Sequence, residues 1–153
     1  MTFGDHVDDK ATELTDLFEM LNQSDKESVA EYWVVYYRLM AEHKLKKYGP
    51  ESAMLFLEKN AKISEFTIHS IDRIQYPLLL VYCELAMKMP EFPDNFLLQI
   101  KLLLLSLSFA DKWNRWRALS VLACYAGSKN WHKQAILFGK LACQDISLSL
   151  IHI

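Results

Sequence analysis

Residues that break or cross-link secondary structure are scarce in this sequence. Its 153 residues include four glycines, four prolines and three cysteines. An all-β sandwich or barrel needs frequent glycine- and proline-rich turns, so this scarcity favours helices. Cys83, Cys124 and Cys143 are widely spaced and form no CxxC pair, which indicates neither a disulfide framework nor a zinc site. We therefore expect a reducing, cytoplasmic setting and no metal or other cofactor.

A strong excess of one charge and a long apolar run are also absent. The net charge of −2 gives no overall attraction to nucleic acid or to anionic lipid. The first residues include Asp5, Asp8 and Asp9, where a signal peptide needs basic and then apolar residues. The most apolar stretch, residues 96–110, contains Gln99 and Lys101 and is shorter than the ~20 apolar residues of a membrane span. We interpret it as a core helix contacted on most sides and expect no membrane partner.

Apolar residues, in contrast, are abundant, since 52% of the chain is hydrophobic and 24% is charged. A chain of this length can bury roughly 70% of the surface that it exposes when unfolded, so a core needs no metal or disulfide. We expect part of the remaining apolar surface to contact a partner or a missing part of the sequence.

The apolar periodicity predicts helices joined as hairpins. A first, amphipathic helix carries one apolar stripe, formed by Leu14, Leu17, Phe18 and Leu21. Gly49 and Pro50 suit the end of a second helix and the start of a third, which form a hairpin.

Further hairpins are predicted downstream. Ser64 as an N-cap begins a helix that ends near Tyr76, and Pro77 begins another helix that ends at Lys88. The helix over residues 96–110 completes that hairpin, with Asp94 or Asn95 as its cap. A last pair of helices is separated by a turn after Gly127. The fold class is therefore all-α, with about seven helices.

The three predicted hairpins share a layout with an aromatic residue in each turn. These are Tyr48, Phe92 and Trp131, whose numbers differ by 44 and 39, a period typical of helical repeat arrays. Residues 119–142 resemble a tetratricopeptide repeat. The residues near that family's characteristic positions are Leu122, Tyr125, Trp131, Ala135, Phe138 and Ala142. The resemblance implies antiparallel hairpins stacked as a short right-handed α-solenoid, with a concave groove that binds peptides or helices and performs no chemistry.

From this resemblance we expect a protein-interaction module: an adaptor, a secretion-type chaperone or the sensor part of a regulator. Its partner would be a protein or peptide. The aromatic residues expected to line the inner helices, and so to bind the partner, are Tyr37, Tyr82, Trp116 and Tyr125. The oligomeric state is left open.

The stretch "DKWNRWR" offers an alternative. It combines Lys112, Arg115 and Arg117 with Trp113 and Trp116, the residue types that contact phosphates and stack on bases. A helical bundle that contacts nucleic acid through this basic patch is therefore the second hypothesis, and a rim for an acidic partner is a third use of the same residues. A helix start with one tryptophan in the core explains them equally well.

Residues that could support catalysis are scattered. Glu65, His69 and Asp72 would share one side of a helix, but a solvated helix face is the preferred interpretation. The sequence contains no GxSxG, P-loop or GxGxxG motif. We therefore expect no catalytic residues and no enzymatic activity.

The final six residues, "LSLIHI", resemble a translated sequencing-library adapter. The codons CTG-TCT-CTT-ATA-CAC-ATC would encode them, and that string resembles the mosaic end used in transposon-based libraries. We accordingly expect residues 1–147 to form a single helical-repeat domain that is cut short at its C-terminal end, and residues 148–153 to be a non-native tail.

Overall fold

A computed structural model describes the backbone of residues 3–22 and 29–151 and the side chains of residues 10–20 and 29–144. Within these residues the chain forms seven α-helices and two short 3₁₀-helices, and it has no strand. The predicted all-α class and helix number are confirmed. The α-helices are α1 (Phe3–Asn22), α2 (Ala30–Tyr48), α3 (Pro50–Ala61), α4 (Tyr76–Ala86), α5 (Phe96–Leu105), α6 (Lys112–Ser128) and α7 (His132–Ile151).

The chain forms two compact units, unit 1 (Met1–Glu65) and unit 2 (Phe66–Ile153). In the part of the chain that the structure describes, no helix is both long and apolar enough to cross a membrane.

Aromatic side chains hold unit 1 together. The Phe18 ring of α1 lies 4.2 Å from that of Trp33 and 4.5 Å from that of Tyr36, both on α2. Tyr37 reaches Phe56 of α3, with 6.2 Å between ring centroids. Burial raises the pKa of Tyr36 and of Tyr37 above the ordinary value of 10.0. Helix α2 therefore packs against two helices, α1 and α3.

The predicted turn between α2 and α3 is confirmed. Gly49 has a φ of 98°, a backbone conformation that side chains with a Cβ rarely adopt. Its N–H donates to the Leu45 carbonyl at 3.0 Å, and Pro50 is the first residue of α3. Proline costs little there because that N–H would have no partner inside the helix.

The prediction of a helix between Ser64 and Tyr76 is wrong. Only a 3₁₀-turn, Ile63–Glu65, forms there, and residues 66–75 are turns and loop. The Ser64 side chain bonds to the Glu58 carboxylate behind it, so it does not cap a following helix. The Thr67 amide donates to the Ser70 hydroxyl at 2.8 Å, and the Gln75 amide donates to the Asp72 carboxylate at 2.8 Å.

Short polar side chains thus satisfy backbone amides locally, and this competes with helix formation. Ile63, which precedes the segment, and Ile71, which lies within it, are both buried. The helix predicted to start at Pro77 is confirmed, since α4 begins at Tyr76 with proline in its first turn.

In unit 2, α4 and α5 are antiparallel neighbours. The buried Tyr76 hydroxyl, at the start of α4, donates to the carbonyl of Leu103, near the end of α5, at 3.0 Å. Asn95 precedes α5 with a φ of 60° and makes no side-chain cap. The helix ends at Leu105 rather than at residue 110.

We predicted that α5 is contacted on most sides, but one side of this helix is exposed. Its buried face carries Ile100 and Leu103, but Leu98 is 59% exposed and Leu105 is 68% exposed.

The last predicted hairpin, α6 and α7, is confirmed. Asp111 caps α6, accepting the Asn114 amide at 2.8 Å. At the other end Asn130 has a φ of 62°, and the Trp131 amide donates to the Ala126 carbonyl at 2.9 Å, as in a Schellman motif. Asn130, not Gly127, therefore takes the left-handed position.

Helix α7 continues to Ile151, so residues 148–151 are helical, while residues 152–153 lie outside the described range. The stacking of hairpins into a solenoid stays a prediction.

Candidate functional site

One side of α6 forms half of a groove in unit 2. Residues of α6 at helical spacing line it, and the end of α4 with the residues after it supplies the other wall. The groove has a volume of about 560 Å³ and is lined by Glu84, Met87, Lys88, Trp113, Trp116, Arg117, Ser120, Val121 and Cys124. We call it the α4–α6 groove.

Two tryptophans dominate the lining. The Trp113 side chain is 66% exposed, Trp116 is half-buried, and their ring centroids are 4.9 Å apart at 44°. Met87 and Val121 add apolar surface. Large exposed aromatic side chains beside adaptable methionine are typical of surfaces that bind a partner.

An ion pair connects the two walls. The Arg117 guanidinium donates to both oxygens of Glu84, through Nη2 to Oε1 and through Nε to Oε2 at 3.2 Å. Its Nη1 also donates to the Asn114 side-chain oxygen at 3.2 Å. Since Glu84 and Arg117 neutralise each other, the exposed Lys88 leaves the groove with a net positive charge.

The four aromatic residues predicted to bind a partner are divided between the two units. Tyr37 belongs to the aromatic cluster of unit 1, and the other three lie in unit 2. Tyr82 is half-buried on α4, and Trp116 lies in the α4–α6 groove.

Tyr125 is buried in the core of unit 2. Its ring centroid lies 5.4 Å from Phe92, 5.7 Å from Phe96 and 5.9 Å from Trp131. Burial raises its pKa. Only 4% of the residue is exposed, so it has little surface to offer a partner.

The predicted basic patch is divided by helix geometry. Lys112, Arg115 and Arg117 all lie on α6, but residues two apart on a helix do not face each other. Arg117 points into the groove and binds Glu84. Arg115 is exposed on a different side of α6 from the groove-lining residues. The helix therefore does not bring the three charges to one face.

The spacing Trp113, Trp116, Ser120 and Cys124 is a helical stripe that could have indicated a common face. The opposite wall, Glu84, Met87 and Lys88, had no signal in the sequence, because only packing brings α4 against α6.

Glu65, His69 and Asp72 do not share a helix face, because the segment that carries them is not an α-helix. Across the described side chains, no group of three His, Cys, Asp or Glu residues could hold a metal ion.

Comparisons with protein-family models, with curated proteins and with solved structures gave no match to this chain. The chemistry of the α4–α6 groove is therefore the main guide to a ligand.

Proposed function

We propose that this protein is an interaction module that binds an amphipathic helix with acidic side chains in its α4–α6 groove. The observation that carries the proposal is the exposed Trp113 beside Trp116 in a groove of about 560 Å³. The resemblance of residues 119–142 to a tetratricopeptide repeat supports the same class of function, since such hairpins typically form peptide-binding scaffolds.

The two tryptophans of the groove, Trp113 and Trp116, favour a ligand helix with one apolar side. Full burial of a large apolar side chain contributes about 2 kcal/mol, and tryptophan is among the residues that most often dominate a binding surface. A helix that places Leu, Phe or Met at i, i+3, i+4 and i+7 offers a continuous ridge for such a groove.

The positive charge of the groove favours acidic side chains on the ligand helix. The Glu84–Arg117 pair fixes the walls and leaves no net charge of its own, while Lys88 is exposed at the groove. A carboxylate on the ligand would be attracted to Lys88, and an ammonium group would be repelled.

Binding of a designed peptide tests the proposal. The probe is a fluorescent helical peptide of about 18 residues, five turns, with Leu and Phe on one side and Glu on the other; its control has Lys in place of Glu. We expect the acidic probe to bind more tightly, and Trp113→Ala to weaken binding about tenfold, or ~1.4 kcal/mol. Trp131→Phe alters an exposed tryptophan outside the groove and should leave affinity unchanged.

Thiol reactivity locates the bound probe. Cys124 lines the groove, whereas Cys143 is exposed elsewhere on α7. The bound acidic peptide should slow alkylation of Cys124 and leave that of Cys143 unchanged, as followed by peptide mass spectrometry. Binding that protects neither thiol and is indifferent to Trp113→Ala would place the site elsewhere.

Nucleic acid is the competing ligand to be tested. If single-stranded RNA binds at low salt and Lys112→Ala with Arg115→Ala abolishes that binding, the second hypothesis replaces the first.

A further inference from the structure

The chain itself contains a helix with the composition of the proposed ligand. Within α1, Phe3–Asn22, the sequence carries six carboxylate side chains and one lysine, with Leu, Met and Phe residues among them. It is therefore both acidic and amphipathic.

The two sides of α1 have different surroundings. Phe18 packs against Trp33 and Tyr36 of α2, so that side belongs to the core of unit 1. Glu13, Asp16, Leu17 and Met20 are spaced i, i+3, i+4 and i+7, and so lie together on another side. The prediction that Leu17 shares the buried stripe of Phe18 is therefore wrong. All four are exposed, Leu17 by 42% and Met20 by 69%. We call these four residues the outer stripe.

The outer stripe complements the α4–α6 groove in both of its properties. Leu17 and Met20 supply an apolar ridge for Trp113, Trp116 and Met87. Glu13 and Asp16 supply carboxylates for Lys88. The stripe and the groove therefore carry opposite charges beside apolar side chains. Both surfaces are exposed in the same chain.

We infer that the outer stripe of one copy binds in the α4–α6 groove of a second copy, so that the protein associates with itself. The inference rests on the proposed function of the groove and names its ligand. Each copy carries one stripe and one groove, so a reciprocal exchange closes a dimer with two identical contacts. Two linked contacts make the dimer more stable than either contact alone.

The association is measured on the full chain by analytical ultracentrifugation from about 1 to 100 µM, the range of contacts worth roughly 6–8 kcal/mol. We expect a concentration-dependent dimer. Glu13→Lys should raise the concentration of half-dimerisation about tenfold, because the reversed charge acts at both contacts. Glu19→Lys is the matched control. It makes the same charge change at another exposed position of α1, outside the stripe, and should leave the dimer unchanged.

Mixing two defective variants gives the decisive test. The groove variant combines Lys88→Glu with Trp113→Ala, both at exposed residues, and the stripe variant is Glu13→Lys. Each alone should be largely monomeric. Their mixture should form a heterodimer, detected by energy transfer between one dye on each variant, because the intact stripe of one meets the intact groove of the other.

A chain that stays monomeric throughout would overturn this inference. The proposed function would still stand if the acidic peptide binds in the groove. A dimer that both variants leave unchanged would overturn it too, and would place the contact on another surface, such as the exposed side of α5.

Discussion

Tyr76 shows how a single buried polar group depends on its surroundings. It is fully buried, and its hydroxyl donates to the Leu103 carbonyl. Burial, with a smaller contribution from nearby Cys83, raises the pKa of the Tyr76 phenol well above the ordinary value of 10.0. Burial likewise raises the pKa of the Cys83 thiol above the ordinary value of 9.0.

The direction of these shifts makes stability depend on pH. In the folded chain the phenol keeps its proton, whereas in the unfolded chain it ionises above about pH 10. Stability from Tyr76 is therefore fully present below pH 10 and is lost as the pH rises further. The contribution of Cys83 to stability declines as the pH rises above the ordinary thiol pKa of 9.0.

We predict that Tyr76→Phe destabilises the protein by about 1 kcal/mol near neutral pH, because the hydrogen bond to Leu103 is lost. Above about pH 10 the difference from the wild type should shrink, since only the wild type carries the phenol. Urea unfolding at a series of pH values measures both effects. A constant difference across the series would show that Tyr76 titrates normally in the folded chain.

Glycine has opposite roles in different elements of this fold. Gly49 links α2 to α3 at a φ of 98°, while Gly139 lies inside α7 at an ordinary helical conformation. Apart from its chain neighbours and, for Gly139, the nearby backbone of its own helix, a Cβ at either position would meet no atom within 4 Å. Any effect of alanine therefore comes from the backbone and not from a clash.

We predict that Gly49→Ala destabilises the fold by about 1–3 kcal/mol, because alanine is strained at this φ. Gly139→Ala should instead stabilise it by about 0.5–1 kcal/mol, since alanine loses less conformational entropy in a helix. Thermal unfolding of the two variants compares them directly. If both variants shift the midpoint temperature of unfolding in the same direction, backbone conformation does not explain their effects.

The segment before α4 shows where local sequence patterns fail. Its apolar spacing, Phe66, Ile71 and Ile74, fits a helix, and Ser64 is a good cap residue. The structure instead pairs Ser64 with Glu58 and Thr67 with Ser70. These contacts satisfy backbone and side-chain polar groups without a helix, and of the three apolar residues only Ile71 is buried.

In the molecule as a whole, that segment is the first part of unit 2 and follows the boundary between the two compact units directly. Residues 66–75 have no helical hydrogen-bond ladder, and such exposed connections are preferred sites of proteolysis. Lys62 and Arg73 are the lysine and arginine residues between the end of α3 and the start of α4, and both are exposed.

We predict that limited trypsin treatment cuts first after Lys62 or Arg73. Cleavage inside a helix requires local unfolding, and the connection between α3 and α4 that carries these two residues is longer than the connection between α4 and α5 that carries Lys88. Mass spectrometry of the early fragments identifies the cut. Lys62→Gln with Arg73→Gln should slow the first cleavage. Lys59→Gln with Lys140→Gln, two exposed positions inside helices, should not. Earliest cleavage within α3 or α7 would contradict the prediction.

Local sequence patterns are enough to predict the all-α class, the turn at Gly49 and Pro50, and the hairpin whose turn carries Trp131. These depend on interactions between residues a few positions apart, which a linear pattern records. The burial of Tyr125 and the position of Trp113 in a groove follow, in contrast, from how the helices pack. That groove requires Glu84 and Arg117, 33 residues apart, to meet across two helices, and no local preference specifies how distant helices pack.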